Sequence, residues 1–202
     1  MSHNTWLHHM VRNSVVKPLA KTSVSPNQLT TARIVTGVIA AVCMAYGPQW
    51  HTIGGGVFVL SVLLDRIDGD LARLTKCTSQ FGHRYDMVSD AICNILVLLG
   101  LGIGLIDGNL GIWAVLMGAI SGASVAAILW IVMRVEEMNG MRSAELPNFS
   151  GFDADDAVLL IPIFIWLGFA ESLLLISCII APLVSILFFR MYLKQSSLTA
   201  ND

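Results

Sequence analysis

Five stretches of this chain contain no Asp, Glu, Lys or Arg: Ile34 to Leu64, Ala91 to Ile106, Gly108 to Met133, Ala157 to Ala170 and Ser172 to Phe189. Each can hold one helix, or two with a turn. The chain is 55% hydrophobic and only 13% charged over 202 residues. Its mean hydropathy of +0.71 lies above what a soluble domain of this size carries, so a membrane protein is the first inference.

The first run is interrupted by Gly47-Pro48-Gln49-Trp50-His51, a turn signal because Gly and Pro break helices and Trp favours the membrane interface. This predicts helices one and two, then helix three from Phe81 to Ile106 and helix four from Leu110 to Met133. Helices five and six flank Glu171. The fifth has an uncharged stretch of only 14 residues, short of the ~20 that span a bilayer, so its start is expected earlier, near Phe152.

Charge placement tests the count of six crossings. With both termini on one side, all 12 lysines and arginines fall on that side, and the short loops near Pro48, Asp107 and Glu171 carry none. By the positive-inside rule that side is cytoplasmic, which places the chain in an inner or cytoplasmic membrane if it is bacterial. Trp6, Leu7, Met10, Val11, Val15 and Leu19 recur every three or four residues and predict an amphipathic helix on the cytoplasmic leaflet. The expected organisation is an amphipathic segment over residues 1–24, an all-α membrane domain over 25–194 and a cytoplasmic tail over 195–202. No cleaved signal peptide is expected. The four cysteines (Cys43, Cys77, Cys93, Cys178) have no paired spacing and read as small core residues.

Between the second and third apolar runs lie Asp65, Asp68, Asp70, Asp86 and Asp90, five aspartates within 26 residues. An intramembrane carboxylate costs ~2.5–3.5 kcal/mol at a helix centre, so such groups are functional candidates by default. Asp65, Asp68 and Ala72 share one helical face, and Gly82, Asp86 and Asp90 share another at steps of four. A linker from Arg73 to Gly82 allows the helices to pack antiparallel and four carboxylates to converge. Asp70 sits well round its helix and reads as solvated or ion-paired. Converging carboxylates imply hard divalent cations, Mg2+ or Mn2+ and two of them, while the absence of Cys and His argues against zinc or copper. Gly69, Ala72 and Gly82 lack bulk and would admit a flat base or a diphosphate, the bland alternative being small-residue helix packing.

The pattern Asp65-x2-Asp68-Gly69-x2-Ala72-Arg73-x8-Gly82-x3-Asp86-x3-Asp90 resembles, at every fixed position, the signature of the CDP-alcohol phosphotransferase family. So does Pro26-Asn27-x2-Thr30-x2-Arg33 at the start of helix one. The resemblance implies a six-helix membrane enzyme that moves a phosphate-linked group from a CDP-linked donor, CDP-diacylglycerol foremost, to an alcohol or alcohol-phosphate acceptor, releasing CMP. It implies metal ligation by Asp65, Asp68, Asp86 and Asp90, with Asp90 bridging to the second metal or acting as general base. Asp65, Asp68, Gly69, Ala72, Arg73, Gly82, Asn27 and Thr30 would meet the nucleotide. A homodimer in the lipid bilayer is implied as well, and no nucleic-acid partner. Family synthases acting on glycerol phosphate read Asp-Pro-x-Ala-Asp-Lys where this chain has Asp86-Met87-Val88-Ser89-Asp90-Ala91. That difference points away from glycerol phosphate and leaves the acceptor unnamed.

Arg33, Arg134 and Arg142 are candidates for an acceptor phosphate, because a guanidinium offers a planar fork of donors; positive-inside anchoring is the alternative for each. Asp153, Asp155 and Asp156 read as helix-start carboxylates. His3, His8, His9, His51 and His83 read as solvated or interfacial, with His83 nearest the acids. A water-soluble CDP-alcohol donor is the second reading of the reaction. A small transporter would carry its acids near mid-membrane on a crossing path. An aspartate-rich prenyltransferase would need a second acidic motif, and a non-catalytic assembly protein fits poorly with an intact set of four acids. The ladder Gly118, Gly122 and Ala126 permits close packing, within the bundle or between subunits.

Overall fold

The computed structural model describes residues 15–140 and 158–199. Among them there are seven helices and no strand: α1 (Lys17–Leu19), α2 (Pro26–Ala45), α3 (Pro48–Thr75), α4 (Gln80–Gly104), α5 (Ile112–Asn139), α6 (Leu160–Trp166) and α7 (Ala170–Thr199). Of these, α2, α4, α5 and α7 are long and apolar enough to cross a membrane.

Local chemistry sets the helix starts around the acidic segment. Ser25 caps α2 in a reciprocal arrangement, accepting from Gln28 N at 3.4 Å while Gln28 Oε1 accepts from Ser25 N at 2.9 Å. Pro26 then occupies the first turn, where its missing N–H leaves no bond unmade. Gly47, at φ 103°, ends the α2–α3 turn and Pro48 opens α3. The turn is tighter than expected, with Trp50 and His51 already helical. At the other end, α3 continues through Arg73 to Thr75 and α4 begins at Gln80, where Ser79 Oγ accepts from Gly82 N at 2.9 Å. The linker is residues 76–79, shorter than the one expected from Arg73 to Gly82, so the acid-bearing faces remain helical up to the turn.

The helix α2 packs against α3 and α4, α4 against α5, α5 against α7, and α6 against α3. The apolar core is built from Ala40, Met44, Phe58, Val97, Leu101 and Leu174. Glycine lets backbones touch: a Cβ on Gly100 would lie 2.3 Å from Ala41 O, and one on Gly118 would lie 2.6 Å from Leu98 O. Gly118 and Gly122 are therefore spent on α4–α5 packing within the bundle, while Ala126 is exposed. At the end of the bundle away from the aspartates, Trp166 Nε1 donates to Thr52 O at 3.1 Å and Glu171 accepts from Asn109 N and Nδ2 at 3.2 Å.

Several expectations change. The fifth helix is seven residues long, ~10 Å at 1.5 Å per residue against a ~30 Å hydrocarbon core. It stops where Gly168 turns at φ 80°, and its expected start near Phe152 lies outside the described residues. The described helices thus give four long apolar spans, the charged-ended α3 and a short α6, and not six equivalent crossings. In the N-terminal segment, Trp6, Leu7, Met10 and Val11 lie outside the described residues. There the bundle buries Val16 and leaves Val15 exposed, because α1 packs on α3. His51 is buried and bonded to Met44 O at 3.1 Å, not solvated.

Candidate active site

Three helices meet at the acidic end. The C-terminal half of α3 supplies Asp65 and Asp68, the first turns of α4 supply Asp86 and Asp90, and α2 lays Thr30 and Arg33 against both. Asp65, Asp68 and Asp86 each offer a carboxylate oxygen, and these oxygens lie within 4.8 Å of one another. Oxygens that share a hard cation at 2.0–2.6 Å stand at up to about twice that separation, so the set fits a divalent ion in both chemistry and spacing.

Arg33 occupies the middle of this group. It is 2% exposed, and it joins acids from two helices. Nη1 donates to Asp65 Oδ1 and, at 3.2 Å, to Asp86 Oδ1; Nη2 donates to Asp90 Oδ1. Its carbonyl is fixed in turn by Ser61 Oγ at 3.0 Å. A guanidinium suits this task because its donors lie in one rigid plane. One guanidinium among four carboxylates leaves a deficit of positive charge, which a bound cation would offset. The fork that was expected to meet an acceptor phosphate is here engaged by the acids.

Thr30, expected at the nucleotide, donates to Asp68 Oδ2 at 2.7 Å and so helps to hold the one fully buried acid, which is 3% exposed. Asn27 lies beside Gly82, where an added Cβ would come within 3.4 Å of Asn27 Oδ1 and 3.1 Å of Ser79 Oγ. At Gly69 an added Cβ would meet only Arg73 Nη2, at 3.4 Å. Helix packing therefore does not demand glycine at 69, unlike at 100 or 118. Ala72 follows on the same helix, half-exposed. Arg73 pairs with Asp70 at 3.1 Å, the ion-paired state expected for Asp70, and is not turned into the cluster.

Arg134 stands apart. It is exposed, donates to Glu137 at 3.0 Å and lies 5.7 Å over the Trp130 ring. Arg142, Asp153, Asp155, Asp156, His3, His8 and His9 lie outside the described residues. His83 turns to the neighbouring helix, with Nε2 at 3.0 Å from Glu136 Oε2. Asn94, which the sequence pattern does not single out, donates from Nδ2 to Asp90 Oδ1 at 3.0 Å. The signal for it was the step of four that runs through Gly82, Asp86 and Asp90 and reaches 94 next.

Comparison with known proteins decides the family. The CDP-alcohol phosphatidyltransferase pattern matches residues 23–183, which contain Asp65, Asp68, Asp86, Asp90 and Arg33. The chain belongs to the CDP-alcohol phosphatidyltransferase family. It is 38% identical over 88 residues to cholinephosphotransferase 1 of Danio rerio, covering 39% of this chain and 23% of that protein. It is 31% identical over 88 residues to archaetidylinositol phosphate synthase of Pyrococcus horikoshii, covering 44% and 46%. A bifunctional IPC transferase and DIPP synthase of Aquifex aeolicus is 24% identical over 192 residues, covering 89% of this chain and 41% of that protein. In each case the matched segment is less than half of the relative. A CDP-alcohol phosphatidyltransferase is a membrane transferase of phospholipid synthesis, and the helices and acidic cluster described above accord with that class.

Proposed function

We propose that this CDP-alcohol phosphatidyltransferase transfers a phosphatidyl group from CDP-diacylglycerol to an alcohol or alcohol phosphate, releasing CMP, at a site on the cytoplasmic face of a six-crossing bundle. The observation that carries the reading is the meeting of Asp65, Asp68 and Asp86 oxygens within 4.8 Å, beside Asp90 and behind the open backbone at Gly69. The six crossings draw on the charge partition of the sequence.

In this reading Asp65, Asp68, Asp86 and Asp90 hold two magnesium or manganese ions. When bound, such ions would neutralise the donor diphosphate and the charge that grows on departing CMP. The remaining work belongs to side chains. Asp90, nearly half exposed where the other acids are more covered, accepts the proton of the attacking hydroxyl. Gly69, Ala72, Gly82 and Asn27 border the space for the cytidine nucleotide, and Arg73 lies within reach of its phosphates once released from Asp70. Thr30 and Arg33 keep the acids in place through α2. The new phosphodiester bond forms as the bond from phosphorus to the CMP oxygen breaks, and no covalent enzyme intermediate is needed. Arg134 and Arg142 are the residues left to meet a phosphate on the acceptor. The relatives' names place the alcohol differently. A cholinephosphotransferase moves the choline-bearing phosphate itself, which favours the second reading of a water-soluble CDP-alcohol donor. An archaetidylinositol phosphate synthase joins inositol phosphate to a lipid, which favours the first. A homodimer would use a face other than Gly118 and Gly122.

The test is purified protein in detergent with magnesium, CDP-diacylglycerol and a panel of alcohols and alcohol phosphates, with products identified by mass. One acceptor should yield CMP and a matching phospholipid, and Asp90→Asn should yield neither. Product formed only from a water-soluble CDP-alcohol would reassign the donor. CMP release unchanged in Asp90→Asn would overturn the site.

A further inference from the structure

The acidic face of α4 does not end at Asp90. The same step of four that carries Gly82, Asp86 and Asp90 continues to Asn94, one turn further along, just before the buried Val97, Leu98 and Leu101. Asn94 is 8% exposed. An amide so deep in an apolar helix costs stability unless its groups are bonded, and its only bond among the described residues is from Nδ2 to Asp90 Oδ1 at 3.0 Å. The orientation of the amide follows from charge. Reversing it would set the amide oxygen against a carboxylate oxygen, two acceptors face to face.

The same Asp90 oxygen also receives Arg33 Nη2. Asp90 Oδ1 is therefore clamped by two donors from two helices, while the Asp90 side chain as a whole stays 47% exposed. Clamping one oxygen restricts the rotation of the carboxylate and leaves Oδ2 as the oxygen available to a cation or a proton. Two further atoms support a functional clamp. Asn94 Oδ1, an acceptor, and Arg33 Nε, a donor, are both buried without a hydrogen-bond partner among the described residues. They belong to the two residues that grip Asp90. A side chain selected only to fill space at this depth would be Leu or Val, which leaves no acceptor unpaired.

We infer that Asn94 is a positioning residue that orients the Asp90 carboxylate for its part in cation binding and proton removal. The inference rests on the reaction proposed above for Asp90, but it has a readout of its own. Residues that hold a metal-ligating carboxylate from behind typically change metal affinity or activity by about 10–100-fold when replaced.

The experiment uses the full chain in lipid nanodiscs as wild type, Asn94→Leu and Asn94→Gln, with Leu removing the donor at similar volume and Gln retaining it. Mn2+ binding by electron paramagnetic resonance, CMP release and thermal melting are measured on each. For Asn94→Leu the expectation is Mn2+ binding weakened about tenfold and kcat lowered by about 10–100-fold. The donor KM should stay within about threefold and melting should match wild type, because the interaction acts through Asp90 and not on the bound nucleotide. Asn94→Gln should recover part of both losses. Mn2+ affinity and kcat both within about twofold of wild type in folded Asn94→Leu would overturn the inference. So would equal losses in Leu and Gln accompanied by a common fall in melting temperature, which would assign Asn94 to packing. If the wild type releases no CMP with any acceptor, the reaction reading fails, and the Mn2+ titration alone decides the role of Asn94.

Discussion

Two regions of this bundle treat burial in opposite ways. Where α2, α3 and α4 meet around the acids, a set of polar side chains is buried: Arg33, Asp68, Thr30, Ser61 and Ser89. Along α7, by contrast, Ile179, Ile180, Leu183, Ile186 and Leu187 are all exposed on the protein surface, where a bilayer serves as their solvent. The difference teaches that polar and charged groups in this chain depend on the interior, because the bilayer cannot solvate them, whereas apolar groups serve both in the core and on the lipid-facing surface. An ion pair in hydrocarbon must be compensated at once, and only neighbouring helices can do that. Apolar side chains need no such partner, and close association of the apolar helices α2, α4 and α5 relies on backbone contact at glycines such as Gly100 and Gly118.

The sharpest break in the comparison removes an acid. Asp90→Asn takes away the proposed base and should lower CMP release by about 10²–10⁴-fold, with melting unchanged because one of several repelling carboxylates has been neutralised. A large fall in melting temperature with activity per folded molecule intact would mean that Asp90 serves the fold. Next in size is Arg33→Gln. Removing one partner of a buried ion pair costs about 3–5 kcal/mol, since the other charges stay behind. The variant should melt well below wild type in chelator and recover part of the loss in magnesium, as the cation takes over the neutralisation. Equal melting with and without magnesium would separate Arg33 from the cation site.

A smaller effect is expected where glycine admits a neighbouring backbone. Gly100→Val should destabilise by about 1–3 kcal/mol through overpacking, as an added Cβ already lies 2.3 Å from Ala41 O; differential scanning calorimetry in detergent would read it. The smallest belongs to the lipid-facing surface. Ile179→Ala, at a side chain 62% exposed, should change stability by less than about 0.5 kcal/mol and leave CMP release untouched. A loss comparable to that of Gly100→Val would place Ile179 in an interface.

The acids were legible in the sequence because helical period alone decides which residues share a face, and Asp65, Asp68, Asp86 and Asp90 lie on two short helical stretches joined by a tight turn. The direction in which Arg33 points was not. An arginine where a helix enters the membrane can anchor, bind phosphate or turn inward, and the choice depends on how α2 rotates against α3 and α4. Helix packing of that kind leaves little trace in a single helix's pattern. His51 was misread for the same reason: its partner, Met44 O, lies across a turn whose tightness the residues Gly47 and Pro48 only suggest. That α6 ends at Trp166 follows from Gly168 in a left-handed turn, a position that reads as ordinary within an uncharged run. Asn94 was hidden because a polar residue one turn inside an apolar segment has no chemistry until its neighbour is known.

The central claim is that aspartates from α3 and α4, held from α2, form one cation-dependent transfer centre. Its most direct test is CMP release from CDP-diacylglycerol by wild type and Asp86→Asn across the acceptor panel, each with magnesium and with chelator. The account predicts release by wild type in magnesium alone, and none by Asp86→Asn in either condition despite native melting. Release that persists in chelator, or that Asp86→Asn sustains at the wild-type rate, would contradict it.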